Sequence, residues 1–451
     1  MEFTALLMIG EADACGEPAG LGRVGGITLV ERQLRLVLGE GARKVWLLAP
    51  DLPEDLAERL TADSRCRIFR NARALAEQTC RESDPVLHLA PGLLIDVRLL
   101  AATLAGAKRT RVESDSTLLV FSGTAPEGAE RLDSGSCWGG VAMFPVALVT
   151  EVAAGLGDWE LSATLVRKAA GKGAQRVVVE DIPTYAPQRR RNAPMLWALP
   201  RTDPARRCAT DDLLAAAQKG CLDWPARFIH PPIENGLVRL FLDTPVSPNG
   251  ITLATAILGA LSILLFIVGQ PLWALILLLV IGPLDGVDGK LARVRHQFSR
   301  WGDLEHVLDK VVEYGAILAF AWWLARDHGA AAWLAAVGII VFAMTEALSG
   351  EFFRRFTGRQ LDDWGPFERR FRLIGGRRNT FFWTLLPFGI MGLWWAGFLM
   401  ILAYAAITFG ISYWRFCRAL GIYGRQVSSE IEKNFVATAY DFLPKPNAEA
   451  R

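Results

Sequence analysis

The sequence predicts two parts of different fold class: an N-terminal α/β domain on a parallel sheet, and a C-terminal all-α domain of six transmembrane helices. Three observations carry this. Short apolar runs alternate with helix-periodic segments over the first 200 or so residues. From Ile251 the apolar runs lengthen toward the roughly 20 residues that a membrane span needs. Basic residues then concentrate in alternate loops between those runs.

In the first part, Phe3–Ile9, Lys44–Ala49, Val86–Ala90, Thr117–Ser122 and Arg176–Glu180 read as strands, and Thr28–Leu38 has helical periodicity. Residues 1–200 form this domain, and residues 201–245 a linker with a juxtamembrane helix. The linker reading rests on Arg189-Arg190-Arg191 and Pro204-Ala-Arg206-Arg207. Ile233–Asp243, with Ile233, Leu237, Val238, Leu240 and Phe241 roughly on one face, reads as an interfacial helix or one packed on the soluble domain. Residues 246–425 form the membrane domain and 426–451 a cytoplasmic tail.

The six spans are Ile251–Gly269, Pro271–Pro283, Val311–Leu324, Ala330–Leu348, Phe381–Ala396 and Phe398–Phe416. Lys290, Arg293, Arg295 and Arg300 lie between the second and third, and eight arginines from Arg354 to Arg378 between the fourth and fifth. The loops on the other side carry only Arg326. This bias puts both termini, the soluble domain and the loop acids on the cytoplasmic side of the cell membrane.

Composition narrows the function classes. The 451 residues carry a net charge of +2, a mean hydropathy of +0.24 and 15 tryptophans. The near-neutral balance gives no signal for a nucleic-acid partner. Seven cysteines, an odd number with no Cys-x-x-Cys pair, argue against a disulfide framework or zinc site and fit a reducing compartment. The N-terminus lacks a basic region and a small-residue cleavage site, so no signal peptide is expected.

The chemistry concentrates in Asp285-Gly-Val-Asp288-Gly289-Lys-Leu-Ala292-Arg293. Ionised groups at membrane depth are costly unless paired or bound to a cation. On a helix, Asp285 and Asp288 share a face at i, i+3, as do Glu305 and Asp309 at i, i+4. Two such faces offer hard oxygen ligands to one or two divalent cations. Gly289 and Ala292 leave room for a nucleotide or a neighbouring helix, and Arg293 has the fork that grips a phosphate. The set fits a metal-bound pyrophosphate attacked by a hydroxyl. The fixed offsets of Gly289, Ala292, Arg293 and Gly302 weigh against Asp285 and Asp288 being merely solvated charges.

These residues resemble the signature of the CDP-alcohol phosphatidyltransferase family, D-x2-D-G-x2-A-R, eight residues, then G-x3-D-x3-D. The first half matches through Gly302. In the second half, strict counting lands on His306 and Lys310, whereas deleting one residue aligns Glu305 and Asp309 and restores the acidic pair. The third position therefore holds Glu305 or, by strict counting, His306, which otherwise neighbours the site. Ser247-Pro248-Asn249-Gly-Ile-Thr252 resembles the family's lead into the first span.

The resemblance implies six transmembrane helices, a homodimer, Mg²⁺ or Mn²⁺, and transfer from a CDP-linked donor to a hydroxyl acceptor with release of CMP. By position, Asp285, Asp288 and Glu305 become metal ligands, and Asp309 the general base, also touching metal. Asn249, Thr252, Asp285, Gly289, Ala292 and Arg293 become contacts to the CDP moiety. The donor is CDP-diacylglycerol or a CDP-polyol. Arg354, Arg355 and Arg359 either bind a phosphorylated acceptor or serve as ordinary positive-inside charge near membrane lipids.

The N-terminal part resembles Rossmann-like nucleotidyltransferases, carried by a strand, a Gly-rich turn and Arg23-Val-Gly25-Gly26 before a helix. It departs where that chemistry needs charge. Ile9-Gly10-Glu-Ala-Asp-Ala-Cys-Gly16 lacks G-x-G-x-R, no Lys precedes Gly25, and Asp96 follows the strand end at Ala90 too late. The domain order resembles archaeal fusions of inositol-phosphate cytidylyltransferase with di-myo-inositol-phosphate phosphate synthase. The leading expectation is a membrane transferase with a degenerate N-terminal domain. The alternatives are a bifunctional enzyme that also makes its CDP-alcohol, and a non-catalytic membrane scaffold.

Overall fold

Six apolar strands stack in parallel pairs, and a seventh, antiparallel strand completes the sheet of the N-terminal unit. The computed structural model describes residues 2–425, except 81, 110–114, 124, 157–159, 187–188, 299–301 and 359. The strands are β1 (Thr4–Met8), β2 (Lys44–Leu48), β3 (Cys66–Phe69), β4 (Val86–Leu89), β5 (Thr117–Phe121), β6 (Cys137–Phe144) and β7 (Gln175–Val178). Their spatial order is β7-β5-β6-β4-β1-β2-β3. All neighbours are parallel except β6, which runs antiparallel to β4 and β5. The expectation of a parallel sheet therefore holds for six strands. The link between β5 and β6 has no helix among its described residues, so the chain returns antiparallel instead of crossing over.

Helices α1 (Leu29–Gly39), α2 (Glu54–Thr61), α3 (Ala72–Thr79), α4 (Val97–Arg109), α5 (Val146–Ala154) and α6 (Leu161–Gly171) accompany the sheet. Thr28 caps α1 by accepting from Glu31 N, and Asn71 caps α3 by accepting from Ala74 N. Leu6, Val45, Leu87, Leu119 and Phe144 anchor the buried core. The stretch read from sequence as linker contains a helix, α7 (Asp203–Ala217), capped by Thr202. Its Ala209 and Leu213 form a small cluster with Val24, Leu29 and Leu94. The polar composition misled because only one narrow stripe of α7 is apolar.

The second unit comprises residues 189–191, 219–292 and 298 onward, while 293–297 group with the first. Its helices are α8 (His230–Phe241), α9 (Pro248–Ile267), α10 (Pro271–Val294), α11 (Gly302–His328), α12 (Ala330–Thr357), α13 (Pro366–Ile374), α14 (Arg378–Ile390) and α15 (Trp394–Arg425). α9 packs on α11, α11 on α12, α12 on α15 and α15 on α14. Four of them, α9, α10, α12 and α15, are long and apolar enough to cross a membrane. Of the other two expected spans, α11 opens on a charged turn, and α14 has 13 residues.

The N-terminal core buries one titratable group that bears on stability. His88 lies on β4 with no exposure, Nδ1 against Leu6 O (3.1 Å) and Nε2 against Ser162 Oγ (2.8 Å). Burial pushes its pKa down to about 4. An unfolded imidazole titrates near 6.5, so between these values the unfolded chain binds the extra proton. Stability gained from neutral His88 is present above about pH 6.5 and is lost as pH falls toward 4. Denaturant unfolding of the N-terminal unit should lose about 3 kcal/mol across that window, and a His88→Gln variant should lack this component of the slope. Equal slopes in both proteins would contradict it.

Candidate functional site

Asp285 and Asp288 lie on α10 one turn apart, just after Pro283, which removes one helical hydrogen bond ahead of them. Asp288 is buried, and its Oδ2 accepts from Thr252 Oγ1 on α9 (2.7 Å), while Gly289 N donates to its Oδ1. Ser247 caps α9 through Gly250 N (3.1 Å) with Pro248 at its first turn, which fixes where Thr252 falls. Asn249, one turn earlier, is exposed.

The two halves of the motif meet at Arg378, the first residue of α14. Its Nη2 donates to Asp285 Oδ2 (2.7 Å) and its Nη1 to Asp309 Oδ1 (3.0 Å). One planar guanidinium thus spans carboxylates from α10 and α11, which places the two acids on facing sides. Lys310, the strict-count alternative, pairs with Glu313 (2.7 Å) and lies over the Tyr314 ring. Glu305 and His306 fall within α11, but their side chains lie outside the described residues. Among the described residues no group of three or more His, Cys, Asp or Glu could hold a metal ion. Asp285 and Asp309 thus present two carboxylates, from different helices, to one guanidinium.

Of the other expected contacts, Ala292 is half-buried near the end of α10. Arg293 groups with the N-terminal unit, where its Nε donates to Ala217 O (2.9 Å). Arg354 and Arg355 both bind the Glu351 carboxylate, and Arg359 lies outside the described residues.

A cavity of about 410 Å³ opens beside Asp309, lined in part by Lys310, Glu346, Arg354, Asp362 and Arg377. Asp362 gathers a basic cluster that sequence reasoning missed: Arg377 at 3.1 Å, Arg372 at 3.3 Å and Arg415 at 3.5 Å. Arg415 is buried on α15, with Nε and Nη2 lacking a hydrogen-bond partner. A buried guanidinium inside an apolar run is a visible signal, since such a cation needs an anion.

The C-terminal part, residues 245–411, matches the family model described as CDP-alcohol phosphatidyltransferase. The chain is 32% identical over 158 residues to the inner membrane protein YnjF of Escherichia coli, covering 73% of that protein and 33% of this one. The chain belongs to the CDP-alcohol phosphatidyltransferase family. Other members are similar to it. The phosphatidylinositol phosphate synthase of Corynebacterium glutamicum is 28% identical over 152 residues, 68% of its length and 33% of this chain. The bifunctional IPC transferase and DIPP synthase of Thermococcus kodakarensis is 34% identical over 147 residues, 34% of its length and 32% of this chain. A solved structure, the inositol-1-phosphate CTP transferase of T. maritima, aligns with 47% of this chain and 96% of its own, at 14% identity and a TM-score of 0.34.

In the N-terminal unit a second cavity, of about 290 Å³, lies beyond the C-terminal ends of β1 and β4. Four carboxylates line it, on Glu11, Asp13, Glu130 and Glu160, against a single arginine, Arg201. Asp96 is bound by Arg98 (2.8 Å) rather than presented at the strand end.

The shared guanidinium makes Arg378 testable. Arg378→Met should lower CMP release roughly a hundredfold or more, the scale of removing a preorganised charge partner. Arg378→Lys, which keeps the charge but not the fork, should fall between the two. Full turnover in Arg378→Met would separate the Arg378 bridge from catalysis.

Proposed function

We propose that this enzyme transfers the phosphoryl-linked group of a CDP-linked donor to a hydroxyl acceptor at a site built from Asp285, Asp288, Glu305 and Asp309. The observation that carries the reading is Arg378 bridging Asp285 and Asp309, which brings together acids separated by 24 positions in the sequence. A non-catalytic scaffold would be favoured if the acids of α11 failed to face those of α10, whereas Asp309 shares Arg378 with Asp285. Six spans, with α11 and α14 among them, and a cytoplasmic site follow from the loop charges.

The four acids supply hard oxygen ligands suited to Mg²⁺ or Mn²⁺, which neutralises charge on the pyrophosphate when bound. Thr252 holds the Asp288 carboxylate in one orientation. Asp309 takes the proton from the acceptor hydroxyl, whose oxygen forms the new bond to the donor's distal phosphorus. The P–O bond to CMP breaks, and the bridging oxygen leaves with the nucleotide. The cavity beside Asp309 receives the acceptor, and Arg354 and Arg377 on its wall, paired with Glu351 and Asp362, would have to exchange those partners to hold an anionic group there. By position in the family motif, Gly289 and Ala292 would contact the cytidine moiety. The family reading extends to a homodimer.

The N-terminal unit serves binding, positioning or stability rather than nucleotidyl transfer. Its first loop lacks the G-x-G-x-R arginine and the lysine that would counter the charge of a triphosphate, and Asp13 on the cavity wall is already paired with Arg206.

Three measurements follow. Asp288→Asn should remove most CMP release and weaken the dependence on Mg²⁺ without unfolding the protein; an active variant with normal metal dependence would sink the site. Glu305→Gln should be inactive while Lys310→Ala keeps measurable turnover, and the reverse would restore the strict register with His306. Purified protein given CTP, Mg²⁺ and polyol phosphates should release no pyrophosphate; release that depends on the polyol phosphate would establish the bifunctional reading.

A further inference from the structure

The acids of α10 are carried by a helix whose neighbouring face is fixed by α8. Gly282, Gly286 and Lys290 recur at i, i+4 and i+8 on α10, and His230 and Glu234 at i, i+4 on α8, so each set shares a face. The two faces meet in register. A Cβ on Gly282 would lie 2.9 Å from His230 Cε1, and one on Gly286 would collide with the Glu234 carboxylate. Lys290 Nζ donates to Glu234 Oε2 (3.1 Å) and to Asn235 Oδ1 (2.7 Å). The side chains are 1% and 8% exposed for Lys290 and Glu234.

A buried ion pair is a poor source of net stability, because desolvation cancels much of the attraction. It is a strong source of specificity. Slipping α8 by one residue along α10 would strand a buried ammonium and a buried carboxylate. Lys290 and Gly286 flank Asp288 and Asp285 on the same two turns, so whatever fixes them fixes the rotation of the acids.

We propose that Glu234 and Lys290 are positioning residues: their pair locks α8 to α10 and sets the rotation that presents Asp285 and Asp288 toward Asp309 and Thr252. This rests on the transferase reading above.

The test uses full-length protein in nanodiscs, with Lys290→Met, Glu234→Gln, the double variant and Glu234→Asp. The readouts are metal-free Tm, Mn²⁺ affinity by electron paramagnetic resonance, and kcat and KM for CMP release. Each single neutral variant should lower Tm, and the double variant should recover much of it by leaving no unpaired charge. Mn²⁺ affinity and kcat should nevertheless stay about 10- to 100-fold down in all three, the range for residues that orient ligands from behind. Donor KM should change little. Glu234→Asp keeps the charges but shortens the reach, so it should fold and show part of the loss.

If Mn²⁺ affinity and kcat recover together with Tm in the double variant, the pair is structural only and the proposal falls. Wild-type values in Lys290→Met or in Glu234→Asp would overturn it as well. A wild-type protein that binds Mn²⁺ but releases no CMP would sink the transferase reading, leaving the Mn²⁺ arm to decide on the α8 lock. A wild type that binds no Mn²⁺ would overturn both.

Discussion

The membrane unit turns on one interaction, a guanidinium set between two partly enclosed carboxylates, Asp285 and Asp309. Two like charges in a low-dielectric setting repel strongly, so they coexist only with a cation between them. Arg378 provides that cation for Asp285 and Asp309. Its position follows from the chain: α14 begins at Arg378, so the guanidinium enters the site from a helix end rather than from mid-span. The same logic recurs around Asp362, where Arg372, Arg377 and Arg415 converge on one carboxylate. Asp309 from the first cluster and Asp362 and Arg377 from the second line one cavity.

Much of this was legible in the sequence because helical spacing is a short-range property. The pairing of Asp285 with Asp288 follows from an offset of three residues, whereas the interest of Thr252 came with the family resemblance of Ser247–Thr252. What was not legible is long-range. Arg378 reads in sequence as one of eight arginines in a basic loop, and nothing local distinguishes it from Arg354 or Arg355, which are spent on Glu351. Lys290 read in sequence as one of the basic charges between two spans, and its partner Glu234 is identified only by the pairing of α8 with α10. Arg293 pointed to phosphate by motif, yet its Nε is engaged by Ala217 O.

The N-terminal unit shows the same division. Five strands of the main sheet were readable from apolar runs, but β3 and β6 were not, and the reversal of β6 depends on a loop instead of a crossover helix, which composition does not announce. α7 was hidden because a polar, arginine-rich sequence still folds as a helix when a cap and a narrow apolar stripe are present. Among the described residues Asp96 is held by Arg98, and Glu11, Asp13, Glu130 and Glu160 line the cavity beyond β1 and β4.

The central claim is that acids from α10 and α11 form one cation site. Anomalous diffraction from crystals grown with Mn²⁺ tests it most directly, because it locates the ion without relying on turnover. The account predicts a manganese peak in contact with the Asp285 and Asp309 carboxylates, lost in an Asp285→Asn protein. A peak elsewhere in the membrane unit, or one that persists in that variant, would contradict it.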